Sequence, residues 1–367
     1  MTHKEFTAPT DPIYRPLWVT CDEGENIAHK NCYYSELTGH YWVYKNDKDS
    51  DIIGTCHYRR YLMDDEGHLM SSEAIKRILL GRPKASVTSD TLGQTTPQSP
   101  GTPQSPGTAD IITTKKVHLN NSYHFGFAAN HNVTALDTTG EVIKDLYPDY
   151  YDTFIKLVNG PDTYFGNMFI TTRKHYMDYC EWLFNIFSEV EKRINLDTDE
   201  DSYHKRVLGF ISEFLLLVWI SVNNLRVKEC KVAMLSEKAE TRELKLQLKE
   251  CFKNKDEQTA KRLIIEAISK RPDLLMEASD ITGELRMSME LIAIVEEERL
   301  HEKICLLDKE TDFNTLMKII TNLNSYILES RSTGNKVIIP DDLNHLISDS
   351  AIRVADTVLP DSGIKVC

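Results

Sequence analysis

A helix is expected from about Tyr203 to Val222, and from Val207 onward it reads VLGFISEFLLLVWISV, with Gly209, Ser212 and Glu213 the main breaks in its apolar character. A helix that is apolar around its whole girth has no side to offer to water, so other elements must enclose it. The segment therefore demands a layered domain with a large core. A chain of 367 residues can supply one, and its length fits two domains better than one or three. Residues 173–194 add an amphipathic helix, with Tyr176, Cys180, Leu183, Phe187, Val190 and Ile194 on one face. The longest apolar run, Phe214–Val222, is too short to span a bilayer, and Met1–Pro12 has no apolar leader core. Neither a membrane span nor a secretion signal is expected.

Charge excludes one class of function. Lys+Arg 43 against Asp+Glu 56 leaves a net charge of -13, which disfavours non-specific binding to nucleic acid. The eight cysteines form no CxxC pair and no zinc-ligand spacing, so they read as the reduced thiols of a cytoplasmic protein. The sequons at Asn120 and Asn132 are then chance matches, because glycosylation needs a secretory route.

Up to about residue 224, short apolar strands alternate with longer helical segments, which is an α/β pattern. Strands are expected at Asp51–Cys56, Asp110–Thr114 and Gly166–Thr171. A helix is expected over Ile27–Tyr44, with Asn26 as its N-cap and Glu36 and His40 adjacent on its polar side. Residues 83–109 carry Thr-Pro-Gln-Ser-Pro-Gly twice and too little apolar surface to fold, so they read as a disordered insert within the domain. From about Arg226 the chain becomes charged and helical, with breaks near residues 253–256, 271–272, 308–311 and 332–335. Residues 225–367 are read as an all-α C-terminal module serving stability or oligomerisation.

His57-Tyr58-Arg59-Arg60 follows the strand at Asp51–Cys56, at the end where open α/β sheets hold ligands. A guanidinium fork matches phosphate oxygens and never loses its charge. The plainer alternative makes Arg59 and Arg60 solvated partners of Asp64, Asp65 or Glu66. Glu213, a carboxylate in an apolar helix, should have a raised pKa that suits a general base, unless it sits at a solvent edge beside Lys205 or Arg206. Glu36 is an equal rival, and His57 and His131 are weaker ones. Tyr41, Trp42, Tyr44 and Trp182 could stack on a ligand, but at helical spacing they also suit a core. Lys45 and Asn46 fit a helix C-terminus, and Asn167 at a strand end fits a ligand hydroxyl.

The string ENIAHKNCYYSELTGHYWVYKN, followed by IIGTCHYRRYL, resembles the signature of a bacterial exopolysaccharide glycosyltransferase family long catalogued as a domain of unknown function. The matching positions are Gly24 and Asn26, then Glu36-Leu37-Thr38, Tyr41-Trp42, Lys45-Asn46, Gly54 and His57–Tyr61. Thr2-His3-Lys4, Asp110–Ile112, Tyr147–Tyr150, Asn167–Ile170, Trp182–Phe184 and Arg206 with Gly209–Glu213 follow in order, so the resemblance covers about residues 2–224. It implies a GT-A-like, Rossmann-like nucleotide-sugar domain. It also implies transfer of galactofuranose from its UDP donor to a glycan or lipid-linked glycan, as in O-antigen and capsule synthesis.

On this reading Glu213 or Glu36 is the base of an inverting transfer. His3, Lys4, Asn26, Lys45, Asn46, His57, Tyr58, Arg59, Arg60, Asn167 and Arg206 bind the donor. Asp-x-Asp, the usual metal bridge to a diphosphate, occurs at Asp47-Lys48-Asp49 and Asp197-Thr198-Asp199 but ends no apolar strand. No cofactor and no divalent metal are therefore expected, the arginines doing the metal's electrostatic work. Two departures stand out: Glu25 replaces the family's Asp, and the residues ahead of Thr2 are missing, which shortens the first strand. A UDP-pyranose donor and an inactive scaffold are the alternatives. A helical patch could dock on the inner face of a membrane or on another copy.

Overall fold

A computed structural model describes residues 19–81, 107–197, 201–275, 279–341 and 343–359. His3, Lys4 and all but the last three residues of the Pro/Ser/Thr-rich stretch lie outside these. The chain divides into two compact units, 1–233 and 234–367.

The first unit is mixed α/β. It runs α1 (Asn31–Tyr34), α2 (Leu37–Asn46), β1 (Ile52–Gly54), β2 (Arg60–Leu62), α3 (Ser72–Leu80), β3 (Ile111–Thr114), β4 (Val117–His118), α4 (Tyr123–Asn130) and α5 (Val133–Leu146). It continues through α6 (Pro148–Val158), β5 (Asp162–Thr163), β6 (Phe169–Thr172), α7 (Arg173–Arg193), α8 (Val207–Val222), β7 (Val227–Cys230) and β8 (Val232–Met234). The central sheet has the order β1-β6-β3-β7. β6 is antiparallel to both neighbours, so that Thr171 stands opposite Ile53 on one side and Ile111 on the other, while β7 is parallel to β3.

α8 lies where its composition demands. Phe214, Leu215 and Val218 are wholly buried, and α7 adds Tyr176, Tyr179 and Phe187 to the same core. Truncating one such leucine to alanine typically costs about 2–5 kcal/mol.

Three expectations need correction. The strand at Asp51–Cys56 shortens to three residues at a sheet edge, with only Ile53 buried, because β6 covers it on one side alone. The helix expected over Ile27–Tyr44 breaks at Ser35, whose φ is 51°. The break fits beside α8: a Cβ on Gly209 would come 3.3 Å from that of Ser35. Finally, the chain after Arg226 does not turn helical at once. β7 completes the sheet because buried β3 needs a partner on that side, and the Arg226 guanidinium grips Asp110 at 2.7 and 3.0 Å where the two strands begin. Tertiary pairing here overrides a charged local composition.

The second unit comprises α9 (Ala239–Lys253), α10 (Glu257–Lys270), α11 (Glu284–His301), α12 (Leu306–Lys309), α13 (Phe313–Thr333) and α14 (Asp349–Val358). Its helix ends coincide with the breaks read from the sequence: Asp256 and Asp312 cap the helices that follow them, and Gly334 takes the left-handed turn that ends α13. Leu248, Leu291 and Ile320 anchor its core. No helix among the described residues is long and apolar enough to cross a membrane.

Candidate functional site

The three interruptions in α8 share one side of its first turns, since 209, 212 and 213 are spaced three and one apart. Two loops meet them there. One is the turn 57–60 between β1 and β2, closed by Arg60 N–H donating to His57 O at 3.2 Å. The other is Gly166-Asn167 ahead of β6, where φ is +93° and then +48°. Gly and Asn are the residues that tolerate such angles.

Asn167 is the hub. Its Nδ2 donates to Glu36 Oε1 at 2.7 Å and Ser212 Oγ at 2.8 Å, with Gly209 O at 3.2 Å. The Ser35 break delivers Glu36 to this point from the start of α2. His57 Nε2 lies 2.6 Å from Gly166 O. A carbonyl only accepts, so Nε2 carries the proton and Nδ1 keeps its lone pair. Burial and the nearby Arg60 hold the His57 pKa below its ordinary value, which keeps the ring neutral at pH 7. His57 is thus a strut that fixes the Gly166 loop, and its charge does not contribute to an anion site.

The two carboxylates are driven apart. Burial alone would raise Glu36, but the Asn167 hydrogen bond and His57 outweigh it and leave its pKa lowered. Glu213 is pushed up to about 8 by burial and by the Glu36 charge, against the pull of the Gly166 backbone, Arg60 and Arg206. Glu213 keeps part of its surface accessible. At neutral pH the site holds one ionised carboxylate, one protonated one, and the charges of Arg59, Arg60 and Arg206, a balance that favours an anionic ligand.

Arg60 is half-buried, and its Nε has no hydrogen-bond partner among the described residues. Two of the three surface partners suggested for it are engaged elsewhere, Asp64 with His68 and Asp65 with Lys228. Arg59 is buried, with its guanidinium 5.1 Å from the ring of Tyr58, which is 71% exposed. Arg206 rests on the rings of Tyr203 and Phe210 at 4.9 and 5.5 Å, two helical turns before Glu213. Lys205, the other suggested partner of Glu213, pairs with Asp197.

Asn26, Lys45 and Asn46 make a different assembly. Asn26 ties its amide to Asp22 O, Gly24 O and Ala28 N. It organises a short 3₁₀ turn at Ala28–Lys30 and not the α-helix expected of it. Asn46 clamps Glu25 through both its N–H and its C=O, and Lys45 lies 3.4 Å from Glu25. These side chains hold the 22–46 corner, and no described contact joins them to the Glu36–Asn167 cluster. Trp182 is core, stacked on Tyr150 at 5.1 Å. Trp42 donates to Glu23 O at 2.7 Å.

A family model described as a domain of unknown function, DUF4422, matches residues 1–224. The chain belongs to this family. The match takes in every element that builds the site, from Glu36 to Glu213. No curated protein matches the chain. Among solved structures, the apo form of the bifunctional glycosyltransferase WbbM is similar at 25% identity and a TM-score of 0.46. The likeness covers 59% of this chain and 39% of that one, so the chain spans well under half of that protein.

Two contributors escaped the sequence reading. The strand expected over Gly166–Thr171 starts only at Phe169, because Gly166 and Asn167, both at positive φ, turn the chain. Ser212 lies in the Gly209–Glu213 stretch that carries the resemblance but has no role there; its spacing from Gly209 and Glu213 marks a single polar notch. His40, one turn after Glu36, is buried and pressed between the rings of Tyr176 and Phe169, and its pKa is pushed down to about 4 by burial.

Proposed function

We propose that the chain is a glycosyltransferase that moves a sugar from a UDP donor, galactofuranose being the sugar that the signature motifs imply, to a glycan acceptor with inversion. The observation that carries this reading is the meeting of Glu36, Glu213 and Arg60 around Asn167, with the two carboxyl pKa values pushed in opposite directions. Pairs of titratable groups pushed apart by their surroundings mark acid and base roles.

Glu213 is the general base. With a pKa of about 8 it is ionised in about a tenth of molecules at pH 7, and a base poised near the working pH is the most effective kind. It takes the proton of the acceptor hydroxyl while that oxygen attacks the anomeric carbon. The bond from that carbon to the diphosphate oxygen breaks, and UDP leaves with the electron pair. Arg59 and Arg60 stabilise the negative charge that grows on the diphosphate. Glu36, ionised and held by Asn167, binds donor hydroxyls and faces the positive charge that develops on the sugar. His57 and Asn167 are positioning residues, because they act through the Gly166 loop and Glu36.

Calorimetric titration with UDP in the presence of EDTA tests the arginine clamp. Wild type is expected to bind, and Arg59→Ala and Arg60→Ala to bind at least tenfold more weakly, the loss of one charge-assisted contact of about 1.4 kcal/mol or more. Binding that requires added magnesium, or that ignores both substitutions, would remove the basis of the proposal.

A further inference from the structure

We propose that a second cleft in the first unit, walled by α4, α5 and α6, is a subsite for a neutral, hydroxyl-rich oligosaccharide, an inference that rests on the glycosyltransferase reading only for the identity of its ligand. The cleft has a volume of about 290 Å³, at the lower end of small-ligand pockets. Its floor is apolar: Leu136, Phe154 and Val158 line it and are buried. Its rim is rich in acceptors. Asp137 and Glu141 stand one turn apart on α5, His124 Nε2 fixes Asp137 Oδ1 at 2.9 Å, and the Tyr151 ring closes the α6 side.

This mixture selects a ligand class. His124 occupies one oxygen of Asp137 and Lys144 Nζ lies 5.4 Å from the Tyr151 ring, so the remaining Asp137 oxygen and Glu141 are the acceptors left to a ligand. Their charge disfavours phosphate or sulfate groups, and a hydrocarbon would bury them without partners. A sugar chain supplies what is missing, hydroxyl donors for the carboxylates and an apolar ring face for the floor and Tyr151. Close packing of α5 on α6 forms the cleft floor. Gly140 in the middle of α5 is less favourable than alanine by about 0.5–1 kcal/mol. Its bare Cα is needed because a Cβ there would come 2.7 Å from the Phe154 ring.

The cleft lies one aromatic layer from the site. Phe154 meets Phe214 edge-on at 5.8 Å, Tyr123 stacks on Phe214 at 4.3 Å, and Phe214 is the residue after Glu213. A glycan held here keeps an acceptor chain close to the reacting helix and so raises its effective concentration.

The test titrates the full chain with lactose and with maltotetraose, followed by saturation-transfer NMR and calorimetry, with no donor present. Saturable binding of at least one probe is expected in wild type. Asp137→Ala and Tyr151→Ala should weaken it about tenfold or more, whereas Glu213→Gln and Arg60→Ala should leave it unchanged. Asp137→Asn keeps the shape of the cleft and guards against a folding defect, and circular dichroism checks each variant. Absence of saturable binding in wild type, or equal binding in Asp137→Ala and Tyr151→Ala, overturns the subsite. In a parallel assay with UDP-sugar donors, absence of sugar transfer by wild type while this binding is intact would overturn the transferase reading and leave the subsite standing.

Discussion

Replacing Glu213 with glutamine should make the protein more stable at neutral pH and inactive. The carboxyl has a folded pKa of about 8 against an ordinary value of 4.5, so the folded state holds its proton more tightly than the unfolded state does. By linkage, the resulting stability is complete below pH 4.5, is lost as pH rises through the folded pKa, and is gone above it. Each pH unit costs about 1.4 kcal/mol, so at pH 7 the wild type gives up about 3 kcal/mol that a neutral glutamine keeps. For a unit of this size 1 kcal/mol moves the melting point by about 2–4 °C, and imperfect pairing of the new amide takes back part of the gain. Thermal melts from pH 5 to 9 should therefore show the variant equal to wild type at pH 5 and several degrees above it at pH 8. Turnover should fall by about 10²–10⁴, the usual contribution of a positioned base. A variant that melts below wild type at every pH, or one that keeps its turnover, would refute the assignment, because a carboxylate that serves structure alone is weakened by neutralisation.

Other predictions follow from the same geometry. Gly166→Ala forces a side chain to φ +93°, so it should cost about 1–3 kcal/mol in chemical denaturation and lower turnover by disturbing the His57 contact. Asn167→Ala removes the hydrogen bonds to Glu36 and Ser212; a loss of about 1.5–3 kcal/mol is expected, together with a rise of the Glu36 pKa that NMR titration of the side-chain carboxyl would show. His40 has a depressed pKa, so its contribution to stability should be present above pH 6.5 and lost as pH falls through about 4, and His40→Phe should flatten the acid side of the melting curve. Arg60→Lys keeps the charge but loses the fork, so UDP affinity should fall by less than in Arg60→Ala while remaining below wild type.

The architecture near α8 was legible because burial leaves a plain trace. An all-apolar helix must be enclosed, and a lone carboxylate within it must have a shifted pKa, so Glu213 could be singled out from sequence. Glu36 was legible as a rival but not its ionisation, which depends on Asn167 arriving from 131 residues away. The Ser35 break was invisible because periodicity continues across it; its positive φ and its approach to Gly209 appear only in the folded chain. The strand β7 was missed for a related reason, since its charges suit a helix until β3 and the Arg226–Asp110 pair are in place. Asn26, Lys45 and Asn46 carried a motif resemblance without a position, and in the structure they hold the 22–46 corner. Residue types could be read from the chain, whereas contacts between distant loops could not.

The central claim is tested most directly by incubating the protein, in EDTA, with UDP-galactofuranose and a panel of UDP-pyranoses beside glycan acceptors, and reading the products by mass spectrometry. The account predicts one hexose added to an acceptor with release of UDP, lost in Glu213→Gln and in Arg60→Ala. Failure to turn over any donor, turnover only with a divalent metal, or full turnover in Glu213→Gln would contradict it.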